Sequence, residues 1–363
     1  MGDDAHRFEK VEVNLLKSRW NEKISEEEGS ALTKMIRLLK TECRRDNPNR
    51  PLKLDLRGIL LLNEDLSDLD LSGYDFSYAN LNSSKLTRTV FSYATFHRTS
   101  LEKSILDECE FIGSDLSYAS LNECSAERCG FGGADLSHTS IISANLSGAT
   151  LSRSKLVSAD LRASNFEKAR LSEADLSGAI FTRAKMVKSD LKLSNVNGTD
   201  FEMADMRSCR LTGIKNFKRA NWIGADIRGL DLRGAYLVRR YIADENYLFE
   251  FRSSSRFNRA VYLVWLVTSD CGRSLLRWFV FLLGATLTFA AIYALVDIDF
   301  GDYQTPFSPI YFSFVTLTTL GYGDALPASL TAQIFVTLQA ITGYMGLGGL
   351  LSILGNKMAR RAE

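Results

Sequence analysis

A large apolar residue stands at every fifth position through the middle of the chain. The series runs from Leu56 to Leu211, reduced in size only at Ala126, and resumes after a one-residue slip from Phe217 to Leu237. From Ala79 to Cys209, the position two residues before each of these is Ala, Ser, Thr or Cys. Helices repeat every 3.6 residues and strands every two, so neither element accounts for the pattern. The chain must therefore turn a corner every five residues, with one large and one small side chain of each repeat directed inward.

Several copies share a fuller motif. Clear examples are Ala134-Asp135-Leu136-Ser137, Ala144-Asn145-Leu146-Ser147 and Ala174-Asp175-Leu176-Ser177. The pattern A(D/N)LXX resembles the pentapeptide repeat family, and the resemblance implies a right-handed quadrilateral β-helix with four repeats per coil over residues 54–237. About nine coils stacked at about 4.8 Å would form a rod about 43 Å long. Each coil would pair with its neighbours, which leaves only the two ends as exposed edges.

The cysteines and histidines do not suggest a catalytic or zinc site. The six cysteines lack metal-ligand spacing, and His6, His97 and His138 are far apart in the sequence. Cys109 and Cys129 occupy small positions one predicted coil apart. A disulfide between them is not excluded, but buried thiols acting as small apolar side chains are favoured. We therefore expect no enzymatic activity.

Residues 1–53 are predicted to form an N-terminal helical cap. The stretch from Gly29 to Arg45 has an apolar stripe at helical spacing, with Ser30 as a candidate N-cap. Its basic residues are compatible with a membrane-surface role. Covering the open end of the repeats is the favoured interpretation, because repeat arrays need terminal caps.

A second segment that constrains the fold lies near the C-terminus, between two long apolar runs. Ser308-Pro309 predicts a helix start, with Ser as N-cap and Pro at the first helical position, and the helix occupies residues 309–318. Residues 319–324 then place glycine at alternate positions, which permits backbone conformations that other residues resist. Non-helical backbone between two membrane spans is tolerated only where it is buried in protein or lines water. The segment therefore predicts a re-entrant pore loop.

This loop resembles the selectivity filter of two-transmembrane potassium channels. The filter sequence TVGYG differs from residues 319–323 only at Leu320, where this chain has Leu for Val. The resemblance implies that the loop replaces the hydration shell of K⁺ and that four subunits contribute one loop each. The ion-binding residues would be Thr319, Leu320, Gly321, Tyr322 and Gly323. The Leu320 side chain is expected to point away from the ions.

The same resemblance assigns roles to residues around the loop. Tyr311, Phe312 and Thr318 would support the filter, and Asp324 would lie at its outer mouth. Gly343 matches the hinge glycine of the inner helix in these channels, which implies a role in gating. Close helix packing is the alternative explanation for a glycine in a membrane span.

Residues 275–357 are predicted to form an all-α pore domain with two membrane spans, residues 278–296 and 329–354. Basic residues flank one side of the spans and acidic residues the other: Arg273, Arg277, Lys357, Arg360 and Arg361 against Asp297, Asp299, Asp302 and Asp324. The positive-inside rule then places both termini, the repeats and the basic tail 358–363 in the cytoplasm. We expect the protein in the inner (plasma) membrane.

Residues 238–274 are predicted to connect the two domains. The polar stretch from Glu245 to Arg259 has no clear period and predicts a linker. Ala260 to Val267 is apolar but too short to span a membrane. It predicts either an interfacial helix or an element packed on the last coil.

Together these patterns predict a tetrameric potassium-selective channel that conducts passively, with the repeats as a cytoplasmic regulatory or assembly module. Expected partners are further copies of the chain, the lipid bilayer and an unidentified cytoplasmic ligand or protein on the repeats. K⁺ is the only metal or cofactor expected. The alternative is a membrane-tethered interaction scaffold with little conduction. Some pentapeptide repeat proteins mimic DNA, but that requires an acidic rod. Residues 56–237 carry 22 basic and 23 acidic residues, a net charge of −1, and this balance and the predicted membrane anchor both argue against such mimicry. We expect no nucleic-acid partner.

Overall fold

The computed structural model describes residues 12–21, 23–25, 29–45, 47, 54–231, 234–301 and 304–362, without the side chains of 23–25, 29–30 and 356–362. The chain divides into two compact units, Met1–Tyr247 and Leu248–Glu363. Parts of the predicted cap, the repeat position Leu232, Asp302 and the last residue of the predicted tail lie outside the described residues, as does the Ser30 side chain.

The first unit is a β-helix held together by single-residue parallel bridges. From Asp55↔Asp75 to Asn195↔Lys215, paired residues are 20 positions apart, so four five-residue repeats make one coil. The last two bridges, beginning with Asp200↔Asn221, have a spacing of 21. The 3₁₀ turn Phe217–Arg219 lies in this coil and accommodates the extra residue. This is the one-residue slip seen in the sequence.

From Gly58 to Gly213, each repeat turns at a corner where the residue two positions after the large one has positive φ. At the first corner, Ile59 N donates to Leu56 O at 3.1 Å around Gly58, whose φ is 70°. Many corner residues are not glycine; Tyr78 has a φ of 62°, a conformation that costs such a residue about 1–2 kcal/mol. The neighbouring coil offsets this cost, since Tyr78 N donates to His97 O at 2.9 Å.

The inward residues form a continuous core. The rings of Phe91, Phe111 and Phe131 stack along the axis with centroids 4.9 and 5.2 Å apart. Cys129 Sγ, one coil above Cys109, donates to the Cys109 carbonyl at 3.2 Å, and both residues are free thiols.

Helix α1, Ala31–Glu42, packs on the first coils and follows a short antiparallel pair of strands, β1 Lys23–Ser25 and β2 Gly29–Ser30. The helix is shorter than the predicted stretch 29–45 at both ends. Asp70 N donates to Cys43 O at 2.7 Å, so the segment after α1 adds to the ladder. Before the strands, Arg19 pairs with Asp55 at 2.9 Å. Hydrogen bonds from Arg19, and then from Arg57, lower the pKa of the Asp55 carboxyl.

Helix α2, Tyr236–Ser254, follows the last coil. Asn246 accepts a hydrogen bond from Gly224 N at 2.7 Å and donates to Trp222 O at 3.1 Å, which fixes the helix to the end of the ladder. The sequence prediction of Leu237 as the final inward repeat position is wrong. Leu237 is 70% exposed on α2, because the chain has already left the ladder, whose last bridge is at Asp226.

The second unit is helical. Its elements are α3 Arg256–Ser269, α4 Leu275–Tyr293, β3 Ile298–Asp299, α5 Ser308–Leu317, β4 Leu326–Pro327 and α6 Leu330–Ala362. Among the described residues, two segments are long and apolar enough to cross a membrane, Leu275–Tyr293 and Leu330–Gly355. Strands β3 and β4 pair antiparallel. The two apolar segments begin and end within three residues of the membrane spans predicted from the sequence, 278–296 and 329–354.

The prediction of a linker at residues 245–259 is wrong. Residues 245–259 are helical except at Ser255, where α2 ends and α3 begins. Ser255 is the N-cap of α3, and its side chain accepts from Asn258 N at 3.0 Å. Residues 245–254 belong to α2, whose apolar residues form no clear stripe, so the apolar period does not reveal this helix. The predicted interfacial stretch 260–267 lies within α3, and α6 continues helically through residues 358–362 of the predicted tail.

Candidate functional site

The candidate site is built on α5, the short helix between the two spans. It begins one residue earlier than predicted, with Phe307 at the N-cap position and proline in the first turn. Ser308 is not the cap: its hydroxyl accepts from Thr305 N at 2.8 Å and so stabilises the preceding turn. Phe312 is buried against Tyr293 of α4, with ring centroids 5.1 Å apart. This contact packs α5 against the first span.

The segment after α5 has an alternating backbone. Thr319, Gly321 and Gly323 have φ values of 59°, 50° and 75°, whereas Leu320 and Tyr322 do not have positive φ. In an ordinary strand, successive residues face opposite sides. Alternating the sign of φ allows neighbouring carbonyl groups to face one side instead. The predicted role of the two glycines depends on this kind of conformation.

Hydrogen bonds hold the segment at both ends. At its start, Leu320 N donates to Val315 O at 3.1 Å, and the Thr318 hydroxyl donates to Phe314 O at 2.8 Å. At its end, the Tyr311 hydroxyl donates to Asp324 Oδ2 at 2.7 Å. The structure thus brings together two predicted site residues that are 13 positions apart in the chain.

The apolar side chains of the segment are largely uncovered in the single chain. Leu320 is 56% exposed and Tyr322 is 66% exposed. Apolar side chains clustered at a surface are typical of a site that another molecule covers.

Gly343 lies on α6 against the C-terminal end of α5. A Cβ at this position would lie 2.4 Å from the carbonyl oxygen of Leu317. The two backbones could not approach this closely with any other residue at position 343. This contact with Leu317 supports close packing, the alternative explanation of Gly343, and it does not depend on whether Gly343 is a hinge.

Sequence reasoning missed several polar contacts between the helices. Gln339 of α6 is fully buried and bonds to Ser313 of α5. Trp278 of α4 donates from Nε1 to the Gly346 carbonyl of α6 at 2.9 Å. The available signal was the presence of an amide side chain inside an otherwise apolar span, since polar residues there are usually functional or paired.

No group of three or more His, Cys, Asp or Glu side chains suited to a metal ion occurs among the described residues. The oxygen atoms available in the segment 319–323 are backbone carbonyls and the hydroxyls of Thr319 and Tyr322. Backbone carbonyl rings are the ligands that select monovalent cations in channel filters.

Comparison with known families supports both halves of the chain. Pentapeptide repeats match in 8 copies, over residues 65–107, 94–131, 104–141, 144–183 and 181–213. The family described as ion channel matches residues 280–360. A comparison with curated protein sequences gave no match.

Among solved structures, similar chains are pentapeptide repeat proteins. HetL from the cyanobacterium Nostoc sp., involved in heterocyst differentiation regulation, is 25% identical with a TM-score of 0.38, covering 52% of this chain and 89% of its own. Full-length QnrB1, a plasmid-mediated fluoroquinolone resistance protein, is 20% identical with a TM-score of 0.39, covering 50% of this chain and 95% of its own. Because both TM-scores are below 0.5, the repeat assignment rests on the family match and the observed ladder.

Proposed function

Because the chain joins pentapeptide repeats to an ion channel domain, we propose that it is a potassium-selective channel whose filter is the segment 319–323. The observation that carries the proposal is the backbone of this segment. It follows a short helix between two apolar spans, and φ is positive at Thr319, Gly321 and Gly323. In that conformation, the carbonyls of residues 319–322 and the Thr319 hydroxyl would replace the water around K⁺. Conduction would be passive, and no cofactor other than K⁺ is proposed.

The proposed assembly is a homotetramer. One chain supplies one filter segment, and a ring of carbonyls needs four. The exposure of Leu320 and Tyr322 in the single chain supports this assembly, since neighbouring subunits would cover them. Asp324, held by Tyr311, would lie at the outer mouth.

The chain is a membrane protein by its channel domain and its two apolar helices. We infer that it lies in the plasma membrane with both termini in the cytoplasm. Arg273 precedes α4 and Arg277 lies in its first turn, whereas Asp297 and Asp299 follow the helix. Basic flanks remain on the cytoplasmic side.

The repeats would then form a cytoplasmic module that regulates or assembles the channel. We also infer that their coils are right-handed and four-sided. The ladder supports four sides, because each coil contains four corners before pairing with the next. Gly343 would serve as the gating hinge of α6. Neither matched family is in general a family of enzymes.

The test is K⁺ against Na⁺ flux into liposomes that contain the purified full chain, with and without Ba²⁺. Gly321→Ala should abolish selective flux, because alanine resists the φ of 50° at this position. Gly284→Ala is the matched control, since a Cβ there meets no atom within 4 Å and φ is not positive. Well-folded wild-type tetramers that pass K⁺ and Na⁺ equally, or pass neither at any voltage, would refute the proposal.

A further inference from the structure

A buried amide joins the inner span to the helix that precedes the filter segment. Gln339 of α6 is fully buried within the single chain. Its Nε2 donates to the Ser313 carbonyl at 2.9 Å and to the Ser313 hydroxyl at 2.6 Å. Its Oε1 is buried and accepts no hydrogen bond from the described residues. Both donors of the amide are therefore directed at one residue of α5.

The same hydroxyl extends the network to the first span. Ser313 Oγ donates to the Thr286 carbonyl of α4 at 2.7 Å, so it accepts the bond from Gln339. Three helices thus meet at one serine that is fully buried. Polar groups inside a membrane protein are costly to leave unpaired, so such a network specifies one arrangement of the helices.

A second contact lies one helical turn further along both helices. Gln339 and Gly343 are four residues apart on α6 and share a face. Their partners on α5, Ser313 and Leu317, are also four residues apart. The Gln339 bond sets the position of α5, and the Gly343 contact with the Leu317 carbonyl sets its distance from α6. Leu317 is two residues from Thr319, where the filter segment begins.

We propose that Gln339 is a positioning residue for ion selectivity, because it fixes α5 and thereby the carbonyls of the filter segment. This inference rests on the proposed channel function. A shift of α5 along α6 would move residues 319–323 relative to the three other copies. Gln339 touches no ion, so its effect is on the geometry of the ring and not on its chemistry.

The substitution Gln339→Leu separates positioning from folding. Leucine has a similar volume, and it removes the unpaired Oε1 as well as the two donors. The substitution leaves no buried donor unpaired, because the Ser313 hydroxyl still donates to the Thr286 carbonyl, and an unpaired buried donor or acceptor is the costly outcome. We therefore expect assembled protein with altered selectivity.

The experiment measures the reversal potential of the full chain in planar bilayers with K⁺ on one side and Na⁺ on the other. We expect Gln339→Leu to lower the K⁺/Na⁺ permeability ratio at least tenfold. Gln333→Leu is the matched control, because it is the same substitution on the exposed surface of the same helix and should leave the ratio unchanged. Ser313→Ala, which keeps the bond from Gln339 to the carbonyl but removes the hydroxyl between α4 and α6, should lower the ratio by less.

The possible results separate the two proposals. A wild-type protein that is not K⁺-selective refutes the channel function and this inference with it. A selective wild type with an unchanged ratio in Gln339→Leu leaves the channel function intact and overturns the role of Gln339. If Gln339→Leu does not assemble, Ser313→Ala decides, and an unchanged ratio in that variant overturns the inference.

Discussion

Replacing Gly343 by alanine tests whether this glycine is needed for packing or only for bending. A Cβ at position 343 would lie 2.4 Å from Leu317 O and 3.1 Å from Leu317 C. Both atoms belong to the backbone of α5, so no change of rotamer relieves the overlap. The two helices would have to move apart.

The two opposing contributions can be estimated. Overpacking typically costs about 1–3 kcal/mol, and an overlap with backbone belongs at the upper end. Alanine in place of glycine in a helix interior stabilises by about 1 kcal/mol. The expected net effect of Gly343→Ala is a loss of about 2 kcal/mol in the free energy of unfolding of the second unit, and hence a melting temperature lower by several degrees.

The assay is thermal unfolding of the detergent-solubilised full chain, followed by tryptophan fluorescence, with K⁺ flux measured on the same preparations. Gly348→Ala is the control, since it lies five residues further along α6 and a Cβ there meets no atom within 4 Å. That variant should be as stable as the wild type or more so. If Gly343→Ala has the same melting temperature as Gly348→Ala, the close approach of the two backbones is not required and the packing argument is wrong. A change in flux without a change in stability would leave the hinge as the explanation.

Two further predictions concern an ion pair of the repeat unit and the reactivity of two thiols. The hydrogen bond from Arg19 lowers the pKa of Asp55. Their ion pair therefore stabilises the protein fully above the ordinary aspartate pKa of about 4. This stabilisation is lost as the pH falls through the lower pKa of the folded state. Asp55→Asn should raise amide hydrogen exchange over residues 12–21 at neutral pH, and unchanged exchange there would contradict the argument. The second prediction concerns the thiols. Cys271 is half-buried and should react with a disulfide reagent at pH 8 in the native protein. Burial raises the pKa of the Cys124 thiol to about 12 and should protect it from the reagent until the chain unfolds. Rapid labelling of Cys124 in the folded protein would show that the core of the repeats is open to solvent.

Much of the repeat unit follows from the sequence because its order is local and repeated. A large residue at every fifth position determines which side chains enter the core. The family resemblance implies four repeats per coil, and the bridges between residues 20 positions apart agree with it. The slip after Leu211 is also visible in the sequence and reappears as a bridge spacing of 21. The span lengths follow from apolar composition alone, since a helix needs about 20 such residues to cross a bilayer.

The remaining features were decided by tertiary contacts. No period or motif links Tyr311 to Asp324, or Gln339 to Ser313, because these pairs depend on how the helices pack. The sequence shows which residues these are, but it does not show which of them contact one another. The sequence by itself determined the coil, the spans and the composition of the filter segment, each of which repeats a short-range rule. Only the folded chain decided which helix faces meet, because burying a polar side chain is favourable only where its partner comes to lie within hydrogen-bond distance.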